Sequence, residues 1–118
     1  MRLSGERESM PDQAFWSDLE SLHDWKKRNL PLLMMPQGEE VLTWLMRVSE
    51  RPRPLKELYA NSRFSEPTVR VVVQSLVDRK LVVFQYDDRD QRARFVRPTE
   101  KLVELLDEYV RRIQNCSI

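Results

Sequence analysis

Arg70, Val71, Gln74 and Asp78 recur at the spacing that puts side chains on one face of a helix, with Pro67 one turn earlier. Arginine offers a planar fork of donors that matches the O6 and N7 acceptors of guanine, and glutamine matches N6 and N7 of adenine. Arg70 and Gln74 are therefore candidates for base-edge contacts, the alternative being a solvated helix face. Val71 is β-branched, and helix stability alone does not explain it on that face. Contact with a thymine methyl or packing on a neighbouring chain would each explain it. Ser65 and Thr68, near the helix start, are placed to bind phosphate through hydroxyl and backbone N–H, as well as to cap the helix. Arg89, Arg92 and Arg94 crowd a polar segment further on. They are candidates for contacts to the same partner, a charged hairpin that blunts a sheet edge being the alternative.

Other chemistry is absent from the pattern. No nucleophile–base pair, glycine-rich phosphate loop or paired carboxylate constellation occurs, so an enzyme is not expected, nor is a cofactor. His23 is the lone histidine and has no second ligand nearby, so no metal site is expected. Cys116 is the only cysteine, which forbids an internal disulfide and makes a cytoplasmic location the simplest expectation. It stands in no basic pocket or helix start that would activate its thiol. No secretory signal pattern is evident. The longest apolar run, Leu30 to Met35, is broken by Pro31 and far too short to span a membrane.

The chain has 118 residues, 41% hydrophobic and 33% charged, which is ordinary globular usage and suits a single domain. The net charge of +1 hides an asymmetry. Residues 51–97 hold 11 Lys/Arg against 6 Asp/Glu, whereas residues 1–50 hold 6 against 9 and residues 98–118 hold 3 against 4. The basic excess falls on the segment that carries the arginines above, as phosphate binding by one module requires.

The elements that must position these residues follow from periodicity. Ser65 and Pro67 mark a helix start, and Val69, Val72, Val73 and Leu76 form its buried face. Leu55 and Leu58 belong to a short helix before it, with Pro54 at a tolerated start and a turn at Asn61-Ser62-Arg63-Phe64. Leu81 to Tyr86 reads as a strand, Asp87 to Gln91 as a polar tip, and Arg92 to Arg97 as the returning strand. Helix, turn, helix and hairpin in that order make a winged helix. Arg53 to Leu55 is placed to form a short strand beside the wing.

Here the chain resembles the MarR-type (multiple antibiotic resistance regulator) winged-helix transcription factors. The resemblance rests on Leu55-Lys56-Glu57-Leu58, Phe64-Ser65-Glu66-Pro67-Thr68-Val69, Leu76, Leu81-Val82, the wing motif Asp90-Gln91-Arg92, and the step Pro98-Thr99-Glu100-Lys101 into a last helix. It covers about 50 residues in one unbroken order. It implies that the winged helix binds double-stranded DNA, that Arg92 enters or borders the minor groove with Asp90 steadying it, and that the first helix crosses a partner subunit. A narrow A·T groove attracts such an arginine. It also implies a small-molecule pocket between the dimer and DNA-binding regions, which Trp25, Met34, Met35 and Trp44 would line; plain core packing is the alternative. The family usually has glycine at the positions of Lys80 and Leu102 and near Arg63. A left-handed Lys80 would cost on the order of 1 kcal/mol.

The flanks complete the expected architecture. Residues 1–11 read as a flexible arm and residues 12–50 as N-terminal helices: one capped by Asp12 and ending near Asn29, another from Glu39 to Ser49 with Gly38 just outside its start. Leu30 to Pro36 is an apolar connector whose prolines exclude a helix interior. Residues 51–98 are the winged helix-turn-helix and residues 99–118 a helix capped by Thr99. Phe15, Leu19 and Leu22 on the first helix, and Leu102, Leu106, Tyr109 and Ile113 on the last, form stripes wider than a small core needs. They are assigned to a dimer interface. The fold class expected is mainly α with a small β-hairpin wing, flanked by terminal dimerisation helices. The function expected is sequence-specific DNA binding by a homodimer that regulates transcription, with a small-molecule effector as a further partner. A winged helix serving protein–protein contacts without DNA is the alternative.

Overall fold

The computed structural model describes residues 13–86, 88–89 and 94–116. Among these residues five helices and one hairpin follow in order: α1 (Gln13–Asn29), α2 (Pro36–Arg47), α3 (Leu55–Asn61), α4 (Glu66–Asp78), β1 (Val82–Tyr86), β2 (Arg94–Pro98) and α5 (Glu100–Gln114), with a 3-10 turn (Pro31–Met34) between α1 and α2. The expected arm, the Asp12 cap, and Asp90 and Arg92 of the wing motif lie outside the described residues. Among the described residues no helix is long and apolar enough to cross a membrane.

The core gathers the apolar face of each helix. Val41, Leu42 and Leu45 of α2, Leu55 and Leu58 of α3, Val69, Val72, Val73 and Leu76 of α4, and Leu102 of α5 are each at most 3% exposed. The helix-turn-helix packs on α2 through α4, and the hairpin closes the other side against α3 and α4. The two strands are antiparallel, with Phe84 opposite Val96 and Tyr86 opposite Arg94. An isolated bridge joins Pro54 to Phe95, so the short strand expected beside the wing is reduced to one residue pair. Proline can neither donate to a ladder nor extend one.

Two corrections concern the start of α2. The helix begins at Pro36, three residues before the expected Glu39, because proline is compatible with the first helical position. Gly38 is therefore inside the first turn, and buried. A Cβ built there would stand 2.0 Å from the Leu32 carbonyl oxygen. The 3-10 turn thus lies directly on the start of α2, and glycine permits that approach.

The end of α4 takes the form anticipated for Lys80. Lys80 has φ of 60°, its N–H donates to the Val77 carbonyl and the Leu81 N–H to the Leu76 carbonyl, both at 2.9 Å. This is a Schellman closure with a lysine where glycine is preferred. The next segment is anchored by Thr99: its N–H donates to the Leu81 carbonyl at 2.9 Å, its hydroxyl donates to the Lys80 carbonyl, and the same oxygen accepts from Leu102 N–H to cap α5. Lys80→Gly should stabilise the protein by about 0.5–1 kcal/mol, the relief of left-handed strain less the freedom added to the unfolded chain. Urea unfolding of the two proteins measures it; an unchanged or lower midpoint would refute the strain.

Candidate nucleic-acid interface

Helix α4 presents two different faces. Ser65 caps it from extended backbone, and its Oγ accepts from the Thr68 N–H at 3.4 Å and lies 2.9 Å from Thr68 Oγ1. Inward, Val69, Val72, Val73 and Leu76 are 0–3% exposed. Outward, Pro67, Arg70, Val71, Gln74 and Asp78 are all exposed, Val71 at 70%. The structure therefore brings Pro67, Arg70, Val71 and Gln74 together on one open surface, with Ser65 and half-buried Thr68 at its edge.

The polar side chains on that face are occupied by neighbours on the same helix. Arg70 Nε donates to Glu66 Oε2 at 2.8 Å, and its Nη2 lies 2.6 Å from the same oxygen. Gln74 Nε2 donates to Asp78 Oδ1 at 2.9 Å. Exposed pairs of this kind contribute little to stability. The Arg70 guanidinium also lies over the Tyr59 ring, 4.8 Å from its centroid. Burial raises the Tyr59 phenol above its ordinary value, while the charges of Arg70 and Arg94 act against that shift. Tyr59 of α3 therefore stands between the outer face of α4 and the wing. The sequence signal for Tyr59 is no more than an aromatic four residues after Leu55, on the flank of the same stripe.

On the wing, Arg94 lies over Phe84, 4.9 Å from the ring centroid. Arg89 is exposed at the tip. Arg92, the wing arginine singled out by the resemblance, lies outside the described residues.

A second residue that spacing could not reveal is Glu40 of α2. The Ser62 hydroxyl donates to its Oε1, the Arg63 N–H donates to Oε2 at 3.3 Å, and Arg63 Nε lies 3.4 Å from Oε2. Ser62 Oγ in turn accepts from Phe64 N–H at 3.0 Å. One carboxylate, 19% exposed, thus holds the turn that leads into α4. The Ser62 hydrogen bond first, and then those of Arg63, hold the Glu40 carboxyl below the usual glutamate range against the opposing effect of burial. A carboxyl depressed in the folded state contributes stability that is present above its unfolded value and lost as pH falls through its folded value. Stability should accordingly decline on acidification through and below the ordinary glutamate range, and Glu40→Gln should flatten that decline while lowering stability at neutral pH. Urea midpoints of both proteins across that range test it; parallel curves would refute the role of Glu40.

The other candidate residues lie away from this face. Trp25, Met34, Met35 and Trp44 stand in different surroundings. Trp25 is 6% exposed and stacks on Tyr109 with ring centroids 6.2 Å apart and planes 8° apart. The 3-10 turn directs Leu32 and Leu33 inward and leaves Met34 and Met35 at 37% and 38% exposure. Trp44 instead lines a cavity of about 470 Å³ with Glu40, Arg47, Leu58 and Arg63. Of the residues assigned to a dimer seam, Leu102 (0%) and Leu106 (8%) are consumed by the chain's own core. Tyr109 is engaged by Trp25, and Arg112 covers the Trp25 ring at 5.4 Å. Phe15, Leu19 and Leu22 are half-buried and Ile113 is 41% exposed. His23 is exposed, and among the described residues no group of three or more His, Cys, Asp or Glu could hold a metal ion. Cys116 Sγ donates to the Arg112 carbonyl at 3.3 Å.

No protein-family model matches the sequence, and no curated protein sequence matches it either. Solved structures do. A mutant of S. aureus MepR bound to an oligodeoxyribonucleotide aligns over 89% of this chain and 78% of its own, with 16% identity and a TM-score of 0.63. The S. aureus MepR–DNA complex covers 85% and 75%, with 17% identity and a TM-score of 0.64. The transcriptional regulator BldR of Sulfolobus solfataricus covers 98% and 81%, with 21% identity and a TM-score of 0.57. The fold is that of the MarR-type winged-helix regulators, as the resemblance implied.

Proposed function

We propose that this protein is a sequence-specific double-stranded DNA-binding transcriptional regulator that acts as a homodimer. The observation that carries the reading is the outer face of α4. A capped helix of 13 residues buries four apolar side chains and holds Arg70, Val71 and Gln74 in the open, beside a wing bearing Arg89 and Arg94. A helix with this face, inserted in a major groove, offers a guanine-reading fork, an amide suited to adenine and a methyl-bearing side chain suited to thymine. The Ser65 and Thr68 hydroxyls at its start lie where a backbone phosphate meets a helix N-terminus. Arg92 extends the wing in sequence and belongs to the same proposed surface. The DNA-bound MepR structures support the use of this fold on a duplex.

The homodimer is supported by what α1 and α5 leave uncovered. Trp16 of α1 and Val110 and Ile113 of α5 are 49%, 47% and 41% exposed, and Phe15, Leu19 and Leu22 of α1 are only half-buried. A two-fold dimer would set two copies of α4 about 34–36 Å apart, matching one turn of duplex and a roughly palindromic site.

Selection of bound duplexes from a random pool tests the whole reading. Enrichment of one roughly palindromic sequence is expected. Recovery of unselected sequence, or of no duplex at low salt, would favour a protein-binding winged helix instead.

An effector-responsive regulator is a second reading, favoured by one feature. A cavity of about 610 Å³, within the size range of ligand pockets, lies between α2 and α5 and is lined by Leu33, Leu42, Met46, Tyr109 and Val110.

A further inference from the structure

The guanidinium of Arg70 is held on two sides and open on the third. Its flat face lies over the Tyr59 ring, 4.8 Å from the centroid. Its side-on edge, Nε and Nη2, converges on a single oxygen, Glu66 Oε2, at 2.8 and 2.6 Å. That leaves the end-on edge, formed by Nη1 and the outer N–H of Nη2. These two donors are parallel and coplanar, the arrangement that meets the O6 and N7 of guanine in one bidentate contact. A free arginine on a helix surface samples many rotamers and loses that freedom on binding. An arginine already stacked and braced loses less, and spends less time reaching towards acceptors elsewhere.

We propose that Tyr59 and Glu66 are positioning residues that fix Arg70 end-on for one guanine, and so set base specificity without touching a base. The inference rests on the DNA-binding reading above and adds to it the two side chains that aim its reading arginine. The pair comes from different elements. Glu66 sits one turn before Arg70 on α4, while Tyr59 comes from α3 across the turn, so the helix-turn-helix packing itself places the platform. Glu66 also has an ordinary role, since a carboxylate in a first helical turn favours the helix. That role alone would change stability and leave base choice intact, which separates the two.

The test uses the full-length protein, the duplex selected by the parent, and duplexes in which each base pair is replaced in turn. The parent should lose about tenfold in affinity when one particular G·C pair is changed. In Tyr59→Leu and Glu66→Gln that penalty should shrink to about twofold, with the other positions unaffected. Tyr59→Phe keeps the ring and should discriminate like the parent. Glu66→Gln removes an anion from the DNA-facing surface, so its affinity for unrelated duplex should hold or rise while discrimination falls. If Tyr59→Leu does not fold, the exposed substitution Glu66→Gln decides the matter alone. Unchanged discrimination in Glu66→Gln, or a loss in Tyr59→Phe as large as in Tyr59→Leu, would overturn the proposal. So would a weakening that is uniform across sequences and lowers the salt slope by about one, because Arg70 would then be a phosphate contact. A parent that binds no duplex refutes the DNA-binding reading and this inference together, whereas a parent that binds and variants that discriminate normally refute only the inference.

Discussion

Leu106→Glu should unfold the protein, whereas Val110→Glu with Ile113→Glu should leave it folded and monomeric. All three residues lie on α5, yet the chain uses them differently. Leu106 is 8% exposed within its own chain, packed in the core at the wall of the cavity between α2 and α5, and a carboxylate there loses most of its hydration. Placing it there costs several kcal/mol, a large share of the total stability of a small domain. Val110 and Ile113 are 47% and 41% exposed, so glutamates at these positions remain solvated in one chain. In the proposed dimer they would meet across the seam as unpaired like charges. The double variant should keep its helical circular dichroism and its melting cooperativity. It should sediment as a monomer and bind the selected duplex more weakly, although every proposed DNA contact is retained. A parent that sediments as a monomer at about tens of micromolar yet binds a single half-site tightly would sink the dimer, and a Leu106→Glu protein as stable as the parent would contradict the core assignment.

The second large effect concerns salt and Arg70. Duplex binding should weaken about a thousandfold between about 50 and 200 mM salt if the dimer places about six cations on phosphates, because each contact releases condensed counterions. The motivation is the clustering of 11 Lys/Arg against 6 Asp/Glu in residues 51–97, beside flanks that are mildly acidic and keep the rest of the chain off the duplex. Arg70→Ala should behave differently from the loss of a phosphate contact. It should cost about 1–3 kcal/mol at the selected site, relax one base position and leave the salt slope nearly unchanged. Arg94→Ala should lower the slope by about one and weaken all sequences alike. Titrations at four or five salt concentrations on specific and unrelated duplexes separate these cases. A flat log–log plot would remove the electrostatic argument, and identical behaviour of both variants and the parent would show that the DNA face is misassigned.

How far the sequence reached depends on whether a feature is local. The inward face of α4, the caps at Ser65 and Thr99 and the two separate strands were all legible, because each is set by residues within a few positions of one another. Helical spacing fixes which side chains share a face, and a cap needs only its own first turn to be satisfied. The left-handed Lys80 was legible only through the resemblance, whose family usually has glycine at that position. What the tertiary structure decided is which partner covers each face. Spacing could not say that Leu102 and Leu106 face their own chain, that Tyr109 stacks on Trp25, or that Ile113 remains outside, because an apolar stripe looks the same whichever surface it meets. Gly38 reads as a breaker outside a helix until the Leu32 carbonyl is seen to stand where its Cβ would be. Glu40 reaches the turn 22 residues on, and Tyr59 reaches Arg70 from a different helix. Such contacts depend on how α2, α3 and α4 cross, and that geometry is fixed by the packing of the whole core rather than by any local run of residues.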